Sequence, residues 1–274
     1  MRIIDPHLHV WGLGESDFPF AEGRNPTARA DDAFLIDCMD AAGVTGALII
    51  QPIVYEFDHR YVTRALRNEP ARFKGMCLID PKHADPVGEL SRWRDDGYIA
   101  VRFNPGLFPG DRDMASDLGH RLFAAAGELG MPVGFLVSPG HFEVIDALCD
   151  SSPNTVAVID HFGHCRPSAG DDPDFDALLG LSRHANLHVK LSEFPRASHG
   201  EWPYADLHPW TPPLLDAYGA DRLMWATDFP FIVEQCGYTE GVTLFTEHAP
   251  GIDAETMQQL MAGTAEAVFG AWGA

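Results

Sequence analysis

Short continuous apolar runs alternate eight times with longer amphipathic stretches along this chain. Runs this short and this uniformly apolar suit strands buried on both faces, as in a parallel sheet. They fall at Arg2–Ile4, Gly46–Ile50, Gly75–Ile79, Ile99–Phe103, Val133–Val137, Val156–Ile159, His188–Leu191 and Leu223–Ala226. Helical spacing fills the intervals at Asp31–Ala42, Arg60–Asn68, Pro86–Asp96, Met114–Leu129, Phe142–Cys149, Phe175–His184 and Pro212–Tyr218, and Ala254–Phe269 predicts a closing helix. Gly or Pro ends most of them, as in Ala42-Gly43, Asp96-Gly97 and Leu129-Gly130-Met131-Pro132. Asp31, Asp85, Asp113 and Asp253 stand where helix N-caps are expected. Eight β/α units in series, with no break in composition, predict an α/β fold: one (β/α)8 TIM-barrel domain over residues 1–274. An open doubly wound sheet is the alternative, and the first strand lacks the glycine-rich phosphate loop that would favour it.

In such a barrel the loops after the strands carry the chemistry. The first strand leads into Asp5-Pro6-His7-Leu8-His9, where histidines two apart on an extended segment point the same way. His7 and His9 can then reach one metal ion or one substrate. The eighth strand leads into Thr227-Asp228-Phe229-Pro230, so Asp228 is a candidate general base or metal ligand in apolar surroundings that would raise its pKa. His161 and, less directly, His164 follow the sixth strand. Arg102 ends the fourth, where its charge needs either an internal acid or a substrate carboxylate. Gln51, Tyr55 and Ser192 are further polar candidates, equally suited to contacting substrate and to tying loops. No G-x-S-x-G, P-loop, dinucleotide or zinc-finger spacing is present.

Charge narrows the partners. Forty acidic residues against 19 basic ones give a formal net charge of −21, which disfavours nucleic acid and anionic membranes. A small-molecule substrate is expected, and an anionic one must be held by a few local cations. Met1-Arg2-Ile3-Ile4-Asp5 runs straight into a strand without a signal-peptide pattern, and five scattered cysteines do not pair, so a cytoplasmic protein is expected. Cys165 is expected to be a bystander. Oligomerisation, including a homo-oligomer, is left open.

As an ordered set, Ile4-Asp5-Pro6-His7-Leu8-His9, Gln51-Pro52, Ala100-Val101-Arg102-Phe103-Asn104, Asp160-His161-Phe162-Gly163, Val189-Lys190-Leu191-Ser192 and Leu223-Met224-Trp225-Ala226-Thr227-Asp228-Phe229-Pro230 resemble the amidohydrolase superfamily, in the branch called amidohydrolase family 2. The resemblance runs over nearly the whole chain. Within the branch it is similar to lactonases of sugar lactones and of 2-pyrone-4,6-dicarboxylate, the latter through Gln51-Pro52 with Tyr55, Asp58 and the Arg102 segment. This implies a hydrolase that opens a lactone. Asp228 would activate water, His7, His9 and His161 would bind or polarise the lactone, and Arg102 would hold a carboxylate.

Two departures refine that. Phe108 and His164 stand where the dicarboxylate enzymes are expected to carry arginines, which favours a substrate with one carboxylate or none. The fifth strand, Phe135-Leu136-Val137-Ser138, lacks a ligand histidine, and Arg102 replaces a bridging lysine, so a bridged two-metal site is not expected. One divalent ion such as zinc on His7, His9 and Asp228 is the metal reading, and metal-independent catalysis stands beside it. The alternatives are metal-dependent decarboxylation of an aromatic acid, lactone isomerisation, and a non-enzymatic binding protein, which is disfavoured by so many polar groups at strand ends.

Overall fold

The computed structural model describes residues 1–108, 110, 113–166, 172–249 and 251–273. Its sheet has eight strands in chain order, every neighbouring pair parallel: β1 (Ile4–Leu8), β2 (Gly46–Ile50), β3 (Phe73–Leu78), β4 (Ala100–Phe103), β5 (Val133–Phe135), β6 (Ala157–Ile159), β7 (Leu187–Leu191) and β8 (Leu223–Trp225). The sheet closes on itself past the strand ends. Leu8 bridges Phe229, His9 N donates to Phe229 O at 2.8 Å, and Asp228 N donates to His7 O at 3.0 Å. This is the expected TIM barrel.

Helices α1 (Asp32–Ala42), α2 (Arg60–Asn68), α3 (Pro86–Asp95), α4 (Asp117–Glu128), α5 (Phe142–Ser151), α6 (Pro173–Gly180), α7 (Phe194–Ala197) and α8 (Thr211–Tyr218) fill the first seven crossovers. Asp31, Asp85 and Asp253 cap as expected. Asp113 does not: α4 starts three residues later than its apolar pattern, because Ser116 accepts the cap hydrogen bond from Gly119 N. Beyond β8 come α9 (Phe231–Gln235) and α10 (Tyr238–His248), which the sequence reading passed over. The predicted closing helix is two, α11 (Ala254–Gln258) and α12 (Thr264–Phe269), joined by a wider π turn at Gln259–Gly263.

Two apolar layers hold this together. Inside the barrel, Ile4, Leu48, Ile50, Met76, Ala100, Val158 and Met224 pack with Phe269 and Trp272, which plug its lower end. Gly46 permits that plug, since a Cβ there would lie 2.6 Å from the Trp272 ring. A larger layer lies between strands and helices. With the lower barrel filled, the polar interior is confined to the end where the strands terminate. Among the described residues no helix is long and apolar enough to cross a membrane.

Candidate active site

The first strand is the largest departure from the hydrophobic reading, and it builds the site. The apolar run Arg2–Ile4 predicts a strand ending before the histidines, yet β1 extends over His7 to Leu8, with His9 one residue beyond. Between the Asp5–Ala47 and Leu8–Ile49 pairs the register slips by one residue. Such a bulge re-aims side chains, and Pro6, which has no N–H to lose from the ladder, tolerates it. His7 and His9 emerge buried with their rings perpendicular and 5.4 Å apart.

Each histidine is fixed through Nδ1. His9 Nδ1 lies 2.9 Å from Ile50 O, which can only accept, so the proton is on Nδ1 and Nε2 carries a lone pair. Its pKa is pushed down to about 3, chiefly by burial. His7 Nδ1 lies 3.1 Å from the acceptor Asp160 Oδ1 and 3.2 Å from Lys190 Nζ. With Arg102 Nη2 able only to donate to the other nitrogen at 3.4 Å, the proton goes to Nδ1, toward Asp160, and Nε2 also carries a lone pair. Burial likewise keeps His7 neutral.

Beneath His7 is a charge cluster. Asp160, fully buried, accepts Arg102 Nε on Oδ2 at 2.9 Å and meets Lys190 Nζ on Oδ1 at 3.0 Å. Burial alone would raise its pKa, but Lys190, His7 and Arg102 outweigh it and hold the carboxyl well below the usual range. Arg102 therefore takes the internal acid and still lines the cleft.

Asp228 closes the set from β8. Its Oδ1 is 3.6 Å from both His7 Nε2 and His9 Nε2, buried, and without a hydrogen-bond partner. Desolvation first, then the charge of Glu193, pushes its pKa well above that of an ordinary carboxyl. Three lone-pair atoms thus converge with no hydrogen between them unless Asp228 is protonated. Adjacent ligands on a tetrahedral ion with arms of ~2.1 Å sit about 3.4 Å apart, so the donors fit one divalent ion. Asp5 braces the set, accepting from Thr227 N at 3.1 Å and Tyr238 Oη at 3.0 Å, and burial raises its own pKa to about 6.

The opposite wall comes from β6 and β7. His161, Phe162, Gly163 and His164 all have positive φ, as do Glu193 and Asp228. For non-glycine residues this costs roughly 1–2 kcal/mol each and is characteristic of functional sites. His161 Nδ1 is 2.9 Å from Ser192 Oγ, its ring 4.4 Å from that of His7, and burial keeps it neutral. His164 stacks on His161 and pairs with Glu193 at 3.2 Å.

These groups border a cleft of about 630 Å³. His9 and Asp228 lie at its floor, Trp11, Ile53, Val54, Leu136 and Phe231 give apolar wall, and Arg102, Asn104, His161, His164, Glu193 and Arg196 give polar wall. Gln51 and Tyr55 lie outside this lining and tie loops instead. Gln51 Nε2 donates to Glu56 O and Asp58 O, both at 3.0 Å, and Tyr55 Oη accepts from Gly12 N at 3.1 Å. Asp58 pairs with Arg60, Phe108 packs on Phe103, and Cys165 is a buried thiol with its pKa pushed up to about 12. Lys190, Glu193 and the role of Asp160 were missed, although a lone lysine within an apolar strand and acids directly after strands are legible signals.

A family model described as amidohydrolase matches residues 4–271. The chain is similar to 4-sulfomuconolactone hydrolase of Hydrogenophaga intermedia, 31% identical over 235 residues, which are 82% of this chain and 74% of that one. It is 26% identical to L-fucono-1,5-lactonase of Burkholderia ambifaria, over 83% of this chain and 80% of that one. It superposes with a TM-score of 0.81 on a candidate 2-pyrone-4,6-dicarboxylic acid hydrolase of Pseudomonas putida, at 28% identity over 98% of this chain and 97% of that one.

Proposed function

The chain belongs to the amidohydrolase family, and from that premise we propose that it opens a lactone, a cyclic ester, with water that Asp228 deprotonates. The observation that carries the reading is the buried, unpartnered Oδ1 of Asp228, facing two histidine lone pairs at the floor of the cleft. A carboxylate with a raised pKa is a stronger base toward water than an ordinary one. The names of the curated relatives, two of them lactone-opening enzymes, support the same bond type.

The residues divide the work as follows. Asp228 takes the proton of the attacking water. The carbonyl lies toward His161 and Arg102, which line the cleft and stabilise the oxyanion as it forms. His161 can donate from Nε2 when Ser192 Oγ donates to its Nδ1. When the ring opens, Asp228 returns its proton to the leaving oxygen. His7 and His9 hold the carboxylate side of the floor, with Asp160 and Ile50 O fixing their tautomers. His7, His9 and Asp228 would hold one zinc-class ion, which when bound supplies Lewis-acid polarisation of the scissile carbonyl. Arg102 shares the single charge of Asp160 with Lys190, and Arg196 pairs with Glu193 at 3.1 Å, which leaves about one positive charge for the substrate. That supports a lactone with one carboxylate or none.

The test is a pH-indicator hydrolysis screen over sugar lactones and carboxylated lactones, with wild type and Asp228→Asn. Ring opening by wild type alone supports the reading. Silence of the wild type over the panel, with and without added zinc, sinks it.

A further inference from the structure

The loops leaving β6 and β7 bring a second group of ligand atoms to the rim of the cleft. One nitrogen from each of His161 and His164 and one carboxylate oxygen of Glu193 lie within 4.8 Å of one another. None of the three belongs to the His7, His9 and Asp228 set.

The local backbone explains why they meet. Residues 161–164 form a single left-handed turn, with φ of 55°, 54°, 61° and 53°. In a turn with three residues per repeat, side chains i and i+3 lie over one another. His161 and His164 accordingly stack, with centroids 5.6 Å apart and planes 16° from parallel. Glu193, also left-handed at φ 56°, turns its carboxylate to them from the neighbouring strand end.

His161 and Glu193 are each held elsewhere on one atom, and all three residues have an atom left to give. Ser192 Oγ holds His161 Nδ1, which leaves Nε2. His164 Nε2 is buried and makes no hydrogen bond of good geometry, although Glu193 Oε2 lies 3.2 Å away. Glu193 Oε1 takes Arg196, a side chain more than half exposed, which leaves Oε2. Ligands oriented by partners behind them are the usual construction of a metal site. A recess of about 140 Å³ beside them, lined also by Cys165 and Arg166, has room for water to complete a coordination sphere. Two histidines and one glutamate with an open position is a recurrent zinc donor set.

The geometry points to a second divalent-cation site, of the zinc class, on His161, His164 and Glu193. The ion would join the β6 and β7 loops at the cleft mouth, beside the floor set. With it bound, His161 Nε2 gives a lone pair to the ion rather than an N–H to the carbonyl, and Arg102 is left as the oxyanion donor. The inference stands whether or not the substrate is a lactone.

The test counts zinc. Chelator-stripped protein is equilibrated with Zn²⁺, and bound metal per chain is measured by atomic spectroscopy, with Co²⁺ absorption as a second readout. The variants are Glu193→Gln and His164→Asn, the latter chosen because asparagine accepts a left-handed backbone, with Asp228→Asn for the floor set. Circular dichroism reports folding of each. The expected result is loss of one bound ion in Glu193→Gln and in His164→Asn, and retention of an ion at this site in Asp228→Asn. A wild type that binds no zinc, or a folded pair of rim variants with unchanged stoichiometry, overturns the site. A single wild-type ion that is lost with Glu193→Gln and kept with Asp228→Asn supports it.

Discussion

Asp160 lies directly beneath His7, with its Oδ1 3.1 Å from His7 Nδ1, and the same carboxylate pairs with both Lys190 and Arg102. One buried acid thus orients a floor histidine and is shared between two buried cations. Asp160→Asn is expected to lower stability by about 3–5 kcal/mol, because it leaves uncompensated charge in the barrel. Urea unfolding measures this, and a cost below about 1 kcal/mol would show that the cations find other partners.

Asp228→Asn should separate activity from stability. Loss of a general base lowers kcat by roughly 10²–10⁴-fold. In the chelator-treated protein the same change removes a buried carboxylate with an unpartnered oxygen, so the variant should unfold at an equal or higher urea concentration than wild type. A variant clearly less stable than wild type, measured without metal, would contradict this account of Asp228.

Gln51 acts on the cleft through a loop. Its Nε2 holds the carbonyls of Glu56 and Asp58, and the chain between carries Ile53 and Val54 to the apolar wall. Gln51→Leu should cost about 1–3 kcal/mol for the two stranded carbonyls. KM should rise while kcat moves little, since the wall binds but does not react. A kcat loss at unchanged KM would instead place Gln51 in the chemistry.

His59 gives the protein an acid-sensitive joint away from the cleft. Its Nε2 accepts from Leu78 N at 3.0 Å and its Nδ1 donates to Phe57 O at 2.8 Å, and burial lowers its pKa to about 4 from the ordinary 6.5. Above pH 6.5 both folded and unfolded states are neutral and the contribution is complete. As pH falls from 6.5 toward 4, the unfolded chain takes up a proton that the folded one resists, so stability is lost across that window. A shift of this size corresponds to about 3 kcal/mol. Stability of His59→Gln should therefore fall less than that of wild type between pH 7 and 4, and parallel curves would refute the assignment.

Hydrophobic periodicity located all eight strands because a barrel strand is apolar on both faces for most of its length. It failed where function replaced apolar residues with buried polar ones. β1 runs through Asp5, Pro6 and His7, and no propensity rule extends a strand over those residues. The polar residues at strand ends are legible by position, and His7, His9, Asp228, His161, His164 and Arg102 meet in one cleft or its floor. Gln51 and Tyr55 follow a strand equally well, but their side chains turn toward loop backbone, and spacing does not encode that choice. Lys190 was passed over because it lies inside a strand, where its partner Asp160 is distant in sequence.

The seam between β1 and β8 passes through the candidate site itself. Asp228 N bonds His7 O, and Thr227 N bonds Asp5 across a separation of 222 residues. Asp228 and the two histidines it faces therefore become neighbours only when the two ends of the sheet dock. Half a barrel holds half a catalytic centre, and two complementary fragments would have to zip this seam before either could turn over substrate. Recovery of activity on refolding is then a direct report of ring closure, and damage at the seam silences the enzyme while leaving most of its secondary structure standing.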